Sequence, residues 1–396
     1  MEIPSFVSKS RLSTPACMKQ LFFNSAGSSL ISTATKKVML DYLDQEIEIG
    51  GYDVMMECEG ETNEFYKEAA KLINAEPHNI AYQTSATDAY SKVLYSMSWK
   101  EKDLILTTNE DYVSNVLSFI ELKRRFGVNY EFLETDANGL LDLDKLEGIL
   151  GTSKVKLLAI THMPTSSGMI QDAVSIGLLA KKYKVLYLLD ACQTVGQIKV
   201  DVNEIQCDYL TVTGRKFLRG PRGTGFLFVS DKILEKQEVP FCFDLAGAEW
   251  IDNDQVKFAK NARRYELWEK NYSNLLGLTQ SIREINEIGI EEVAQYNRQL
   301  QKHFRSKLAG VPNLELFDQG LQQGNIITWR IKGKSQQWHS EKLRELNVNF
   351  SFASKHSALI DMKNKGIDWA VRFSPHYFNL PEECDQFIAA FSNNYA

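Results

Sequence analysis

Leu188-Leu189-Asp190-Ala191-Cys192-Gln193 and Thr211-Val212-Thr213-Gly214-Arg215-Lys216 are the two stretches that decide how this chain folds. Each is an apolar strand that ends on charge. A carboxylate closing a fully apolar run is costly to bury unless a cation meets it. A lysine closing a buried strand beside other cations gives up its proton more easily and offers a nucleophilic amine. Taken one at a time, Asp190 is a helix cap at a β–α junction. Lys216 is then half of a surface Lys/Arg pair ahead of the glycine loop Gly220-Pro221-Arg222-Gly223-Thr224-Gly225. Taken together, at successive strand ends and 26 residues apart, they describe a reactive site.

Outward from these stretches, short β-like runs alternate with helical patterns. Strands are predicted at 79–83, 104–107, 130–133, 157–161, 185–189 and 209–212, and helices at 86–97, 112–126 and 173–183. Near-continuous Leu/Ile/Val/Tyr runs flanked by helices mark strands covered on both faces, hence a mainly parallel sheet in an α/β fold. In such sheets ligands collect beyond the carboxyl ends of the strands. After Gly277 the pattern becomes α+β, with helices predicted at 291–308, 336–346 and 381–391 and strands at 326–331 and 369–373. The expected organisation is a large domain over 1–275, whose segment 1–30 packs on a smaller domain over 276–396. A helix at about 264–287 joins the two.

Four further observations belong to the strand ends. Thr84-Ser85-Ala86-Thr87-Asp88-Ala89 opens a helix, where free N–H groups and the positive dipole end hold a phosphate; alone it reads as a plain Ser/Thr cap. A protonated pyridine nitrogen is a cation that Asp190 can meet, and that pair turns the ring into an electron sink, with Gln193 a donor to a ring oxygen. Thr213 and Arg215 flank Lys216 as direct phosphate ligands, the arginine through its fork. In Trp369-Ala370-Val371-Arg372-Phe373-Ser374 the buried arginine calls for an anion, either a substrate carboxylate or an interdomain salt bridge.

Composition narrows the rest. With 396 residues, 44% hydrophobic and 24% charged, the chain is an ordinary globular enzyme in make-up. A net charge of −6 is unsuited to coating a polyanion, so no nucleic-acid partner is expected. The apolar run 185–189 is too short to span a bilayer, and the N-terminus lacks the pattern of a secretory signal. The six cysteines lack zinc-finger or Cys-x-x-Cys spacing, which fits reduced thiols of a cytoplasmic protein with no metal site. Neither a Walker A loop nor a GxGxxG start at the first strand is present.

From Phe23-Asn24-Ser25-Ala26-Gly27 to Arg372 the chain resembles the class V aminotransferases, pyridoxal-phosphate enzymes of fold type I. This group includes cysteine desulfurases, isopenicillin-N-epimerase-like proteins and the hercynylcysteine sulfoxide lyase. The resemblance implies a seven-stranded, mainly parallel sheet between helices, with a smaller α+β C-terminal domain, and pyridoxal 5'-phosphate as cofactor. It implies that Lys216 carries the cofactor as a Schiff base and that Asp190 pairs with the pyridine nitrogen. Gln193 and Thr165 would contact the ring oxygen, and Ala86, Thr87, Thr213 and Arg215 the phosphate. Arg372 matches the substrate-carboxylate arginine, with Asn24 and Tyr52 as further substrate contacts; core packing is the competing account of Tyr52.

Two departures stand out. Tyr112 occupies the place of the desulfurase ring-stacking histidine; it stacks but does not serve as the same acid/base. The mobile segment that carries the desulfurase persulfide cysteine reads here Phe352-Ala353-Ser354-Lys355-His356-Ser357-Ala358, without a thiol. Glu48-Ile49-Gly50-Gly51-Tyr52 and Arg263-Arg264-Tyr265-Glu266-Leu267-Trp268-Glu269 resemble the sulfoxide-lyase and epimerase-like branch, although the latter also reads as an amphipathic helix start. In related enzymes that region approaches a neighbouring subunit, which implies a homodimer. The expected activity is a carbon–sulfur β-lyase that releases pyruvate and ammonia from a cysteine-derived amino acid. An aminotransferase is the alternative and an epimerase a third. A non-catalytic binding module is disfavoured, because Lys216, Asp190 and Arg372 are retained together.

Overall fold

The computed structural model describes residues 3–136, 138–236, 238–318 and 320–395, with side chains described through residue 392. Its centre is a seven-stranded sheet: β1 (Ile80–Gln83), β2 (Leu104–Thr108), β3 (Asn129–Leu133), β4 (Val155–Thr161), β5 (Leu186–Asp190), β6 (Tyr209–Thr213) and β7 (Gly225–Val229). Their spatial order is β1-β7-β6-β5-β4-β2-β3. Only β7 runs antiparallel to its neighbours, while the other pairings are parallel. The expected fold class is therefore present.

The central strands are buried along their whole length, as in Tyr209–Thr213 and Gly225–Val229. That is why they read as continuous apolar runs rather than alternating ones. Helices close both faces. Ala173–Tyr183 matches its predicted bounds because Asp172 caps it, accepting the Ser175 N–H at 3.0 Å, and Lys184 ends it in the left-handed region. β7 escaped the strand-by-strand reading because the glycine loop ahead of it dominates that stretch of sequence.

A second sheet is antiparallel: β8 (Leu314–Leu316), β9 (Ile327–Ile331), β10 (Ser351–Ser354) and β11 (Trp369–Phe373), in the order β8-β9-β11-β10. The segment 352–358, expected as mobile, begins inside β10, where Phe352 and Ala353 pair with Val371 and Ala370. The expected 264–287 helix also differs. Ala262–Tyr265 is a single 3₁₀ turn, and the helix proper is Tyr272–Ile288, capped by Asn271. Glu266 holds the intervening chain extended, accepting the Tyr82 N–H at 2.8 Å and the Tyr66 hydroxyl at 3.0 Å. The helix-start reading of 263–269 fails for this reason. The division expected between 275 and 276 falls inside this same helix.

The N-terminal segment crosses to the second sheet's side of the molecule. Leu21 and Phe22 pair with Val348 and Asn349, and Phe23 packs edge-on against Phe304 with centroids 5.0 Å apart. Among the described residues no helix is long and apolar enough to cross a membrane.

Candidate active site

Because six strands run in one direction, Thr108, Thr161, Asp190 and Thr213 end on one edge of the large sheet. Asp190 is 7% exposed. Its Oδ1 accepts the Cys192 N–H at 3.0 Å and its Oδ2 accepts Asn115 Nδ2 at 3.1 Å. The chain leaves Asp190 in a turn rather than a helix, so the cap reading does not hold. At Gly196 this turn is pressed against the backbone of Phe217, next to Lys216.

Lys216 is half-buried in the turn after β6, not part of an exposed surface pair. Burial lowers its proton affinity; Arg215 and Arg372 act in the same direction, against Cys192 and Asp190. The amine is thus biased toward its neutral, nucleophilic form. Arg215 is half-buried and Arg372 is 8% exposed. Burial, with Arg215 next, pushes Arg372 down to about 10.

Arg372 projects from β11 toward the loop after β4. Its Nη1 donates to the Thr165 carbonyl at 3.1 Å and to the Thr165 hydroxyl, and its Nε donates to Ser351 Oγ at 3.0 Å. Among the described residues no carboxylate pairs with it, so the interdomain salt bridge is absent. Gln193 reaches the same loop, its Nε2 lying 3.5 Å from Thr165 Oγ1 and 3.5 Å from the Ala26 carbonyl.

The N-terminal segment completes this wall. Ser25 N–H and Ala26 N–H donate to the carbonyl and hydroxyl of Ser374, at 3.0 and 2.9 Å. Ser29 N–H donates to the Arg215 carbonyl at 2.8 Å. Asn24 thereby lies beside the end of β11, pairing with Ser374.

The helix Ala86–Ser96 packs on β6 and β7 and brings its N-terminus toward Thr213. Ser85 does cap it, but through the Asp88 N–H at 3.1 Å, which leaves the Ala86 and Thr87 N–H groups for a ligand. Tyr112 precedes the helix Val113–Phe126 and lies within electrostatic reach of both Arg215 and Arg372. Tyr52 stands apart. It is 74% exposed on the helix Gly51–Glu57, so it is not core, and the single chain does not bring it to the others.

Four residues here were missed from the sequence. Ser351 supports Arg372, and Asn115 supports Asp190. Asp111 is buried and linked to Asn115, and Glu110 is buried beside it. The spacing of Asp111 and Asn115, one helical turn apart at a helix start, was the available signal.

The cations Lys216, Arg215 and Arg372 outnumber the carboxylates nearest them, Asp190 and, linked to it through Asn115, Asp111, so this wall carries an excess of positive charge. Two buried amide oxygens, Gln193 Oε1 and Asn24 Oδ1, have no partner. Such atoms are rare unless a ligand satisfies them. The donor set fits a compact anionic group with a phosphate at one end, a ring nitrogen at the other and a carbonyl for Lys216.

The family model for class-V aminotransferases matches residues 21–387. The chain belongs to this family. As a class-V member it is a pyridoxal 5'-phosphate enzyme, and the donor set just described fits that cofactor. A probable cysteine desulfurase of Pyrococcus abyssi is 27% identical over 98% of this chain and 96% of its own length. The apo structure of the cysteine desulfurase from Thermococcus onnurineus NA1 superposes with a TM-score of 0.89 at 24% identity, covering 99% of this chain and 98% of that one. The cystine C-S lyase C-DES, in complex with its product cysteine persulfide, gives a TM-score of 0.84 at 19% identity, over 96% of this chain and 99% of that one. These two likenesses establish the fold.

Proposed function

We propose that this class-V enzyme is a carbon–sulfur β-lyase of the hercynylcysteine sulfoxide lyase and epimerase-like branch, acting on a cysteine-derived amino acid. The observation that carries this reading is the segment after β10. It holds no thiol, and it is tied down, with Ser357 Oγ donating to the Ser354 carbonyl at 3.0 Å and the Val113 N–H donating to the Ser357 carbonyl at 3.1 Å. Cys192, within electrostatic reach of Lys216, is buried, and burial raises its thiol well above the ordinary range. Beside Lys216, among the described residues, no reactive thiolate stands ready to accept sulfur.

Each residue has a task in this reading. Arg372, braced by Thr165 and Ser351, binds the substrate carboxylate through its fork. Lys216 would hold the cofactor through its amine, and its Nζ is placed to take the substrate's α-proton. Pyridoxal phosphate supplies the electron sink conjugated to the substrate nitrogen. Asp190 would keep the ring nitrogen protonated, Tyr112 would cover one ring face, and Gln193 would donate to the ring oxygen. The Ala86 and Thr87 N–H groups, the Thr213 hydroxyl and Arg215 would hold the phosphate. Asn24 adds a polar contact near the carboxylate.

In the elimination the Cα–H and Cβ–S bonds break. The sulfur leaves with the bonding pair and takes a proton, and one water converts the three-carbon remainder to pyruvate and ammonia. A homodimer belongs to this reading, supported by exposed Leu40, Leu43, Ile47, Tyr52 and Met56 on adjoining helices. Within it Tyr52 would face the partner's site. The test is product analysis with cystine, S-alkyl cysteines and their sulfoxides, alongside sedimentation of the holoenzyme. Pyruvate and ammonia in equal amounts are expected. Alanine plus sulfane sulfur, or keto-acid-dependent amine exchange without pyruvate, would overturn it.

A further inference from the structure

Asp111 is a buried carboxyl group that the proposed reaction leaves without a task. It caps nothing on the surface: its hydrogen bonds all run inward. Oδ1 accepts the Tyr112 N–H at 2.7 Å, the Thr161 hydroxyl at 2.6 Å and Asn115 Nδ2 at 2.9 Å, and Oδ2 pairs with the Thr107 hydroxyl at 2.5 Å. Asn115 Nδ2 has two hydrogens, and the second goes to Asp190 Oδ2 at 3.1 Å. One amide nitrogen therefore bridges two buried carboxyl groups. Each partner sits on regular structure. Thr107 is in β2, Thr161 ends β4 directly beside Asp190 in register, and Asn115 is in the first turn of its helix.

A buried carboxyl group is costly unless it is fully hydrogen-bonded. A protein that needed only a helix start here had cheaper choices, since Ser or Thr would bond the Tyr112 region without a charge. The carboxyl of Asp111 instead touches both elements that would bracket the cofactor ring: the backbone of Tyr112, above its face, and, through Asn115, Asp190 at its nitrogen. We propose that Asp111 is a positioning residue for the cofactor, fixing the Asp190 carboxylate through Asn115 and supplying a second negative charge behind it. The proposal rests on the assignment of Lys216 and Asp190 to pyridoxal phosphate.

The titratable groups facing Asp111 are few. Asp190 comes from β5, Tyr90 from the helix Ala86–Ser96, and Glu110 from its own turn. Burial raises Asp111 to about 6, with the hydroxyl and amide donors pulling it back, so it is largely ionised at neutral pH. A negative charge behind Asp190 favours the protonated ring and, through it, the protonated form of the Lys216-bound cofactor. Removing that charge makes this protonated form less stable.

The test uses the full-length holoenzyme and reads the cofactor's absorbance without turnover. Asp111→Asn keeps the volume and an acceptor but removes the charge; the pH midpoint of the visible band is expected to fall by about 0.5–1 unit. Asn115→Ala cuts the bridge while leaving Asp111 its other three donors. It is expected to weaken pyridoxal phosphate binding roughly tenfold, the low end of what loss of an outer supporting hydrogen bond costs at metal sites. In steady state both variants should lower kcat and leave KM for substrate nearly unchanged, because the Arg372 end is untouched. The double variant should be no worse than the poorer single one. An unchanged midpoint and cofactor affinity in both variants, with only the melting temperature lowered, overturns the proposal and leaves the lyase reading standing. A wild-type protein that shows no visible band with pyridoxal phosphate, and no cofactor fixed to Lys216 by borohydride, overturns both.

Discussion

Arg372 reaches across from β11 to donate to both oxygens of Thr165, and this contact joins the small sheet to the loop after β4. The guanidinium is thereby aimed and desolvated, with no carboxylate among the described residues to neutralise it. In the proposed function a substrate carboxylate is the missing anion. Arg372→Lys keeps the charge but loses the fork and the simultaneous bond to Ser351. KM for amino-acid substrates is expected to rise about 10–100-fold, the equivalent of one or two charge-assisted hydrogen bonds. Steady-state kinetics checks this, and an unchanged KM would remove Arg372 from the substrate site.

Lys216→Ala tests the other end. The variant should bind pyridoxal phosphate through the Thr213, Arg215 and helix N-terminal donors, but borohydride should no longer fix it to the protein. Turnover should fall by roughly 10²–10⁴-fold or more, since in the proposed reaction both the anchoring amine and the proton acceptor are lost. Mass spectrometry of the reduced protein reads the first outcome and pyruvate release the second. Borohydride-stable labelling in the variant would mean that another lysine carries the cofactor.

Much of the candidate site's layout was legible because its parts obey local rules. Asp190 and Thr213 close buried strands, Lys216 follows in the turn after Thr213, and a buried strand announces itself as an apolar run. Arg372 was visible for the same reason, as a charge inside Trp369–Phe373. The supporting residues were not. Asn115 looks like any polar residue on a helix, and its value comes from β5 lying beside β2's neighbour β4, a long-range pairing that no window of sequence contains. β10 was read as part of a mobile segment because its strand character depends on β11, further along the chain, which sets Ser354 against Trp369 and Ser351 against Arg372. Tyr52 shows the opposite limit: a tyrosine in a sequence motif carries no sign of which way a surface helix will turn it.

Glu110 gives a pH dependence with a definite sign. Burial, with Asp361 next, raises its carboxyl to about 7, and its Oε2 has no hydrogen-bond partner. The folded state therefore holds a proton that the unfolded chain releases near pH 4.5. The stability this group contributes is full below about 4.5 and is lost as the pH rises toward 7. Asp111 acts in the same sense up to about 6, whereas buried His162, lowered to about 4, acts in the opposite one. Those two are common to wild type and Glu110→Gln, so the difference between the proteins isolates Glu110. Denaturant unfolding across this range should show the wild type losing on the order of 2–3 kcal/mol more than the variant. Parallel curves would mean that Glu110 is ionised throughout.

Gly196 ties the Asp190 turn to the Lys216 turn, and its replacement should damage both stability and cofactor loading. Its φ of 94° is a conformation that side chains disfavour, and a Cβ there would stand 2.5 Å from the Phe217 carbonyl oxygen and 2.6 Å from its carbon. Those atoms are backbone, flanked by Lys216, and His376 Nε2 already bonds the same oxygen at 2.8 Å. Nothing flexible can yield. Gly196→Ala is expected to cost about 2–4 kcal/mol, combining left-handed strain with a backbone clash. Whatever relaxation occurs must move either Gln193 or Lys216, so cofactor affinity should fall along with the melting temperature. Calorimetry of the apo-protein and titration with pyridoxal phosphate measure the two effects separately, and a variant with wild-type values for both would show that the turn accommodates a Cβ.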